Sequence, residues 1–206
     1  MFKDKYDLTQ AVLAGQKTMT RRLVSKKVIN NSKVYVQLIY AKDNIDDLRR
    51  EYIKRTSPYK IGEVIAITQS YRQLEKEIEK QGLPLDIKRE KRICAGYTNK
   101  MFVRAEDMPH HIKITNIRVE SLQDISDEDC LREGVVKNTI GYYVEGLRCK
   151  NWEKESHIEM ENGETIKLFP TPREAFAALI DYVSGKGTWD SNPLVWVYEF
   201  ELVDSQ

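Results

Sequence analysis

The sequence predicts an α+β fold built on a small β-barrel, flanked by short helices and broken by insertions. Strand-like runs of uneven length recur between turn residues, helical stripes are few and individually capped, and no repeating βαβ spacing appears. The 206 residues suit one domain carrying insertions better than two complete domains. With 41% apolar and 32% charged residues, the chain can bury a real core under a charged surface.

Asp7 is placed to cap a first helix, with Gln10 three residues on and Leu8, Ala11 and Val12 as its apolar stripe. Gly15 ends it. Residues 33–40 alternate Val34, Val36 and Leu38 against Tyr35, Gln37 and Ile39 and predict a strand, 43–55 a charged helix, and 63–68 a second strand after Gly62. Residues 71–80 predict a helix stopped at Gly82, and Leu83-Pro84 leads into an irregular basic stretch.

The segment 111–120 predicts a strand whose apolar phase slips between Ile114 and Ile117, the mark of a bulge near Asn116. Ser126 caps a helix with Asp129 at its third position, and Gly134 closes it. HIEMENGETIKLF is a hairpin signal, with Asn162-Gly163 suited to a type I′ turn. Thr171-Pro172-Arg173-Glu174 opens a helix striped by Phe176, Leu179, Ile180 and Val183. The final run from Leu194 is apolar on both faces at its start, as a central strand requires.

Charge and cysteines exclude several classes. Lys plus Arg number 33 against 32 acids, so any polyanion site must be local. Cys94, Cys130 and Cys149 have neither disulfide-framework nor zinc-ribbon spacing, and His110, His111 and His157 have no ligand spacing, so neither metal nor cofactor is expected. The absence of a signal-like start and of long apolar runs makes the cytoplasm the expected location and excludes a membrane role.

Two segments concentrate positive charge. Residues 15–27 carry Lys17, Arg21, Arg22, Lys26 and Lys27 with no acid, and residues 86–104 carry Lys88, Arg89, Lys91, Arg92, Lys100 and Arg104 against Asp86 and Glu90. They line an anion-attracting groove if they meet, and otherwise cover the surface. A P-loop does not fit, because the upstream glycine and strand are missing.

Lys17 and Thr20 are three apart, so a helical or 3₁₀ turn puts them on one side, where a desolvated lysine can take the threonine's proton. A solvated lysine and a capping threonine fit the same spacing. Glu133, at a helix C-terminus where the dipole disfavours an anion, calls for a nearby cation such as Lys17 or Arg21, or is a frayed, solvated glutamate. Trp189 and Asp190 lie in the glycine-rich bend GKGTWDSNP, where an indole can stack on a base or plug a barrel end.

Four ordered blocks, LAGQKTMTRR, IGEVIAIT, KITNIRVESLQDISDEDCLREGV and AFAALIDYVSGKGTWDSNPLVWVYEFELV, make the chain resemble the ASCH domain family, in particular its phage and prophage members. The resemblance spans residues 1–206 as a single domain, with insertions near 26–59, 72–98 and 137–169. It implies a PUA-like small mixed β-barrel whose cleft binds a nucleoside, nucleotide or RNA. In the small bacterial members it implies hydrolysis of N4-acetylcytidine.

By position, that metal-independent amidohydrolase chemistry falls on Lys17, Thr20 and Glu133 as catalytic residues, with Thr20 attacking, Lys17 activating and Glu133 assisting proton transfer. Arg21, Arg22, Lys100, Trp189 and Asp190 are the expected substrate-binding residues, with Tyr97 a further candidate for stacking. Where the phage group carries an arginine-glutamate pair after its second strand, this chain has Thr68-Gln69. A non-catalytic RNA- or nucleotide-binding module and a ribonuclease stay open as alternatives.

Overall fold

The pairing of two long strands organises the computed structural model of the chain, which describes residues 4–38, 44–80, 93–151 and 153–204. Strand β3, His110–Ser121, runs antiparallel to β8, Leu194–Asp204, along nearly its whole length. Their register shifts between Ile114 and Asn116, where the apolar phase of the sequence slips. The Asn116 side chain holds this irregularity by accepting from the Ile117 amide at 2.8 Å.

β8 is central, as its two-sided apolar start requires. It pairs on its other side with β1, Met19–Leu23, and β2, Val64–Ala66, pairs with β3, giving the order β1-β8-β3-β2 with every ladder antiparallel. Strand alternation sorts side chains onto two faces. Arg21, Val197 and Arg118 are register partners on one face, and Thr20, Tyr198 and Ile117 on the other.

The expected closed barrel is not formed. β1 and β2 are the two edges of an open sheet and are not hydrogen-bonded to each other. The sheet nevertheless curls, because Thr20 and Arg22 from one edge and Ile65, Ala66, Ile67 and Thr68 from the other line a single small cavity with Tyr59 and Tyr198. Two causes keep the edges apart: β2 has only three residues, and the edge-to-face rings of Tyr59 and Tyr198, 5.3 Å between centroids, occupy the gap.

Helices cover both faces. Six-residue α1 spans Leu8–Leu13 and begins after Asp7, whose φ of 50° places it in the left-handed region, and Asp7 makes no side-chain cap bond. The segment expected as a strand at 33–40 is helical through its described part: α2 spans Lys26–Leu38, and residues 39–40 lie outside the described residues. Its inward residues Val28, Ile29, Ser32 and Val36 follow helical spacing, which overrode the local alternation. α3, Ile45–Arg55, packs against α2 and lies on the Tyr198 face, where Ser57 and Tyr198 share a hydroxyl bond of 2.9 Å. α4, Tyr71–Lys80, forms a small second cluster with Met108, Tyr97 and Val103; Gly82 lies outside the described residues.

The opposite face carries α5, Asp127–Arg132, capped by Ser126, whose hydroxyl accepts from the Asp129 amide, and α6, Pro172–Ser184, capped by Thr171 with proline in its first turn. Short hairpins β4–β5, Val136–Asn138 with Gly141–Tyr143, and β6–β7, His157–Glu159 with Thr165–Lys167, complete the fold. In the second hairpin only Gly163 has positive φ, 78°, and its amide donates to the Met160 carbonyl. That is a one-glycine turn with a bulge in place of the type I′ turn expected. Segments 26–59 and 137–169, expected as insertions, supply Ile53, Val144, Leu147 and Phe169 to the main core.

The integration of α3 is testable, because the Trp196 indole donates to the Ile53 carbonyl at 2.8 Å inside the core. Trp196→Phe should cost about 2 kcal/mol in urea unfolding through an orphaned carbonyl and lost volume. A change near zero would mark α3 as a loose appendage.

Candidate active site

Lys17 owes its position to two anchors. Its amide donates to the Ala11 carbonyl at 2.9 Å, and the next amide, of Thr18, donates to the Arg132 carbonyl at 3.0 Å, tying the start of β1 to the end of α5. Glu133 is the C-cap of that helix, and Gly134 follows with φ of 103°, a conformation that favours glycine. A Cβ at Gly134 would also sit 3.2 Å from Leu8 and 3.7 Å from the Lys17 chain, so the turn lies against the lysine.

The consequence is a buried ion pair. Lys17 Nζ donates to Glu133 Oε2 at 2.6 Å and to the Glu133 carbonyl at 2.7 Å. The two residues are 2% and 4% exposed, which places the pair beyond solvent screening. One ammonium thus neutralises a carboxylate and satisfies a terminal helix carbonyl. Burial is the main cause that lowers the Lys17 pKa below the ordinary lysine value, with Glu133 opposing it and Arg22 and Arg21 adding to it.

Arg21 continues the network on the same side. Its guanidinium donates to Glu133 at 3.1 Å, to Asp129 at 3.0 Å and to Glu120 at 2.5 Å, and it lies over the Phe176 ring. Burial works to lower its pKa, but Glu133 and Glu120 outweigh that and the net shift is upward. Arg118 then bridges Glu120, Asp129 and Glu199, and Arg132 bonds Glu199 and the Thr18 hydroxyl.

The sequence reading missed Arg118, Glu120, Asp129, Arg132 and Glu199 as members of this network. Arg118 and Glu120 are two apart on a strand, and Asp129, Arg132 and Glu133 are three and four apart on a helix. Those spacings were the available signal.

A cleft of about 80 Å³ lies at this point, lined by Lys17, Thr20, Arg21, Arg22 and Glu133 on its polar side and by Leu8, Phe176, Leu179, Ile180 and Val183 on its apolar side. Lys17, Thr20 and Glu133 are therefore brought to one hollow. Thr20 is not in the helical or 3₁₀ turn expected from the spacing: it is the second residue of β1, on the face opposite Arg21. Because β1 is an edge strand, side chains of both faces reach a cleft that runs along it.

The other expected site residues fall into two groups. Arg22 lines the cleft, and its guanidinium donates to the Arg21 carbonyl at 3.3 Å. Lys100, Trp189 and Asp190 do not line it. Lys100 begins the 3₁₀ turn Lys100–Phe102, Trp189 meets Phe176 edge to face under the Arg173 guanidinium, and Asp190 is exposed beside it. Tyr97 bonds Glu75 at 2.6 Å in the second cluster.

Of the second basic segment, Asp86, Lys88, Arg89, Glu90, Lys91 and Arg92 lie outside the described residues. In the first, Lys17 and Arg21 face carboxylates, so the local charge is largely compensated. Cys130, also buried here, has its thiol pushed up to about 12 by burial, which disqualifies it as a nucleophile at neutral pH.

Among the described residues no group of three or more His, Cys, Asp or Glu is placed to hold a metal ion. No described helix is long and apolar enough to cross a membrane. No family model, curated protein or solved structure matches the chain.

The network predicts an asymmetry. Glu133→Ala takes the carboxylate from the buried Lys17 ammonium and one of three from Arg21, and should cost about 3–5 kcal/mol in chemical denaturation. Lys17→Ala leaves Glu133 its bond to Arg21 and should cost clearly less. Equal losses would contradict the shared role of the glutamate.

Proposed function

We propose that this chain is an ASCH-type, PUA-like protein whose cleft takes a nucleoside, nucleotide or RNA and hydrolyses the amide of an acylated cytosine such as N4-acetylcytidine. The observation that carries the reading is the buried Lys17–Glu133 pair in a cleft that Thr20 also lines. Burial lowers the Lys17 pKa and so favours its neutral amine as a base, and a hydroxyl in the same hollow is a nucleophile in need of one.

In this mechanism Thr20 Oγ bonds to the acyl carbon as its proton passes to Lys17 Nζ. The carbon–nitrogen bond then breaks as Lys17 returns the proton to the departing amine. Water cleaves the resulting acyl-threonine ester and releases the carboxylic acid, with Lys17 again taking and giving the proton. Glu133 holds the lysine in place and compensates its charge when it is protonated; Arg21 holds Glu133.

A phosphate-clamping role for Arg21, on which the binding-module and ribonuclease readings lean, is weakened by its three carboxylate partners. Arg22 is the better placed cation for a substrate phosphate.

The parent protein should deacetylate N4-acetylcytidine without added metal, and Thr20→Val and Lys17→Gln should each lower kcat by at least about 1000-fold in folded protein. Since neutral Lys17 is the base, kcat should rise with pH through its depressed pKa and then level off. Linkage has the same sign: the folded chain binds this proton more weakly than the unfolded chain. The lysine's contribution to stability therefore rises with pH between the two values. Turnover that is flat across that range, or that survives Lys17→Gln, would overturn the mechanism.

A further inference from the structure

The small cavity between the sheet edges adjoins the cleft, and Thr20 and Arg22 line both. Its remaining walls are the aliphatic Ile65, Ala66, Ile67, Ile112 and Ile114 together with Tyr59, Thr68 and Tyr198. Two features separate it from an ordinary packing gap. Its volume is about 40 Å³, and at roughly 10–15 Å³ for each water-sized group it holds about three heavy atoms. Its one other wall hydroxyl outside the tyrosines, Thr68 Oγ1, is buried and has no hydrogen-bond partner among the described residues. An orphaned buried hydroxyl is costly in a folded protein, and it asks for a ligand oxygen.

We infer that this cavity is the acyl subsite: the alkyl part of the substrate's acyl group lies among Ile65, Ile112 and Ile114, and Thr68 donates its hydroxyl to the acyl oxygen. The inference rests on the hydrolase reading and assigns the two hollows to the two halves of the substrate. Lys17 must reprotonate the departing amine, so the amine side belongs in the larger hollow with Lys17 and Glu133. The acyl carbon, bonded to Thr20, then has only the smaller hollow for its substituents. Three heavy atoms are an acetyl group: a methyl, a carbonyl carbon and its oxygen.

As the carbonyl oxygen gains charge in the tetrahedral intermediate, the Thr68 bond strengthens, so the hydroxyl unpaired in the free protein is used where charge develops. Ile65 lies within β2 and Thr68 two residues beyond its end, so the edge strand that fails to close a barrel and its continuation form the wall of the subsite.

The test uses the full chain with N4-acetyl-, N4-propionyl- and N4-butyrylcytidine. Thr68→Val should lower kcat on the acetyl substrate about 100-fold while leaving the melting temperature unchanged or raised, since it removes an unpartnered hydroxyl. A purely structural threonine would not split the two readouts in this way. Ile65→Ala should raise the butyryl-to-acetyl ratio of kcat/KM about 10-fold or more. If both variants keep the parent's rates and chain-length preference while Lys17→Gln abolishes turnover, the acyl subsite is wrong and the hydrolase reading stands. If the parent hydrolyses none of the three, the hydrolase reading fails and the subsite with it.

Discussion

Burying a lysine ammonium beside a helix C-terminus costs several kcal/mol unless its donors are answered, and here a single residue answers two of them. Glu133 offers both its carboxylate and its carbonyl to Lys17. Its position follows from the helix ending at that residue, and the lysine's from α1 ending at Leu13, with the turn through Gly15 leading to β1. Neither element could shift by a residue without separating the pair. The arginine-carboxylate chain behind it serves the same constraint, since Arg21 holds the second oxygen of Glu133 and Glu120, Asp129 and Arg118 hold Arg21.

The open sheet gives this pair a setting. A closed barrel would bring β1 and β2 into one ladder and leave no space between their edges. The short β2 and the Tyr59–Tyr198 rings keep them apart. Side chains from both edges then line a hollow that shares Thr20 and Arg22 as wall residues with the one that contains the ion pair. The helices α3 and α6 brace opposite faces of the sheet, through Trp196 to Ile53 on one side and Phe176 against Arg21 on the other.

Much of the fold was legible in the sequence where one physical signal acted alone. The bulge at Asn116, the caps at Ser126 and Thr171 and the central place of the last strand are local or strictly periodic, and the structure has each of them. Helix α2 was misread because Val34, Val36 and Leu38 alternate, while burial follows Val28, Ile29, Ser32 and Val36; only contact with α3 decides between the two patterns. The meeting of Lys17 with Glu133 was legible through the odd placement of an acid at a helix end. Of the three acids on Arg21 only Glu133 carries that mark; Glu120 on a strand and Asp129 in the first turn of a helix, where acids are favoured, show no local need for a cation. Trp189, whose glycine-rich bend suits either a stacking platform or a plug, packs against Phe176.

The account stands on Lys17 being a buried, carboxylate-held amine whose pKa burial lowers. Selective ¹⁵N labelling of lysine side chains and a pH titration by NMR would read that group directly. The expected result is one lysine resonance titrating well below the others, assigned through its loss in Lys17→Gln and displaced further downward in Glu133→Gln. A Lys17 signal that titrates together with the solvated lysines would contradict the claim, because a fully hydrated ammonium there can be neither the buried partner of Glu133 nor a base for Thr20.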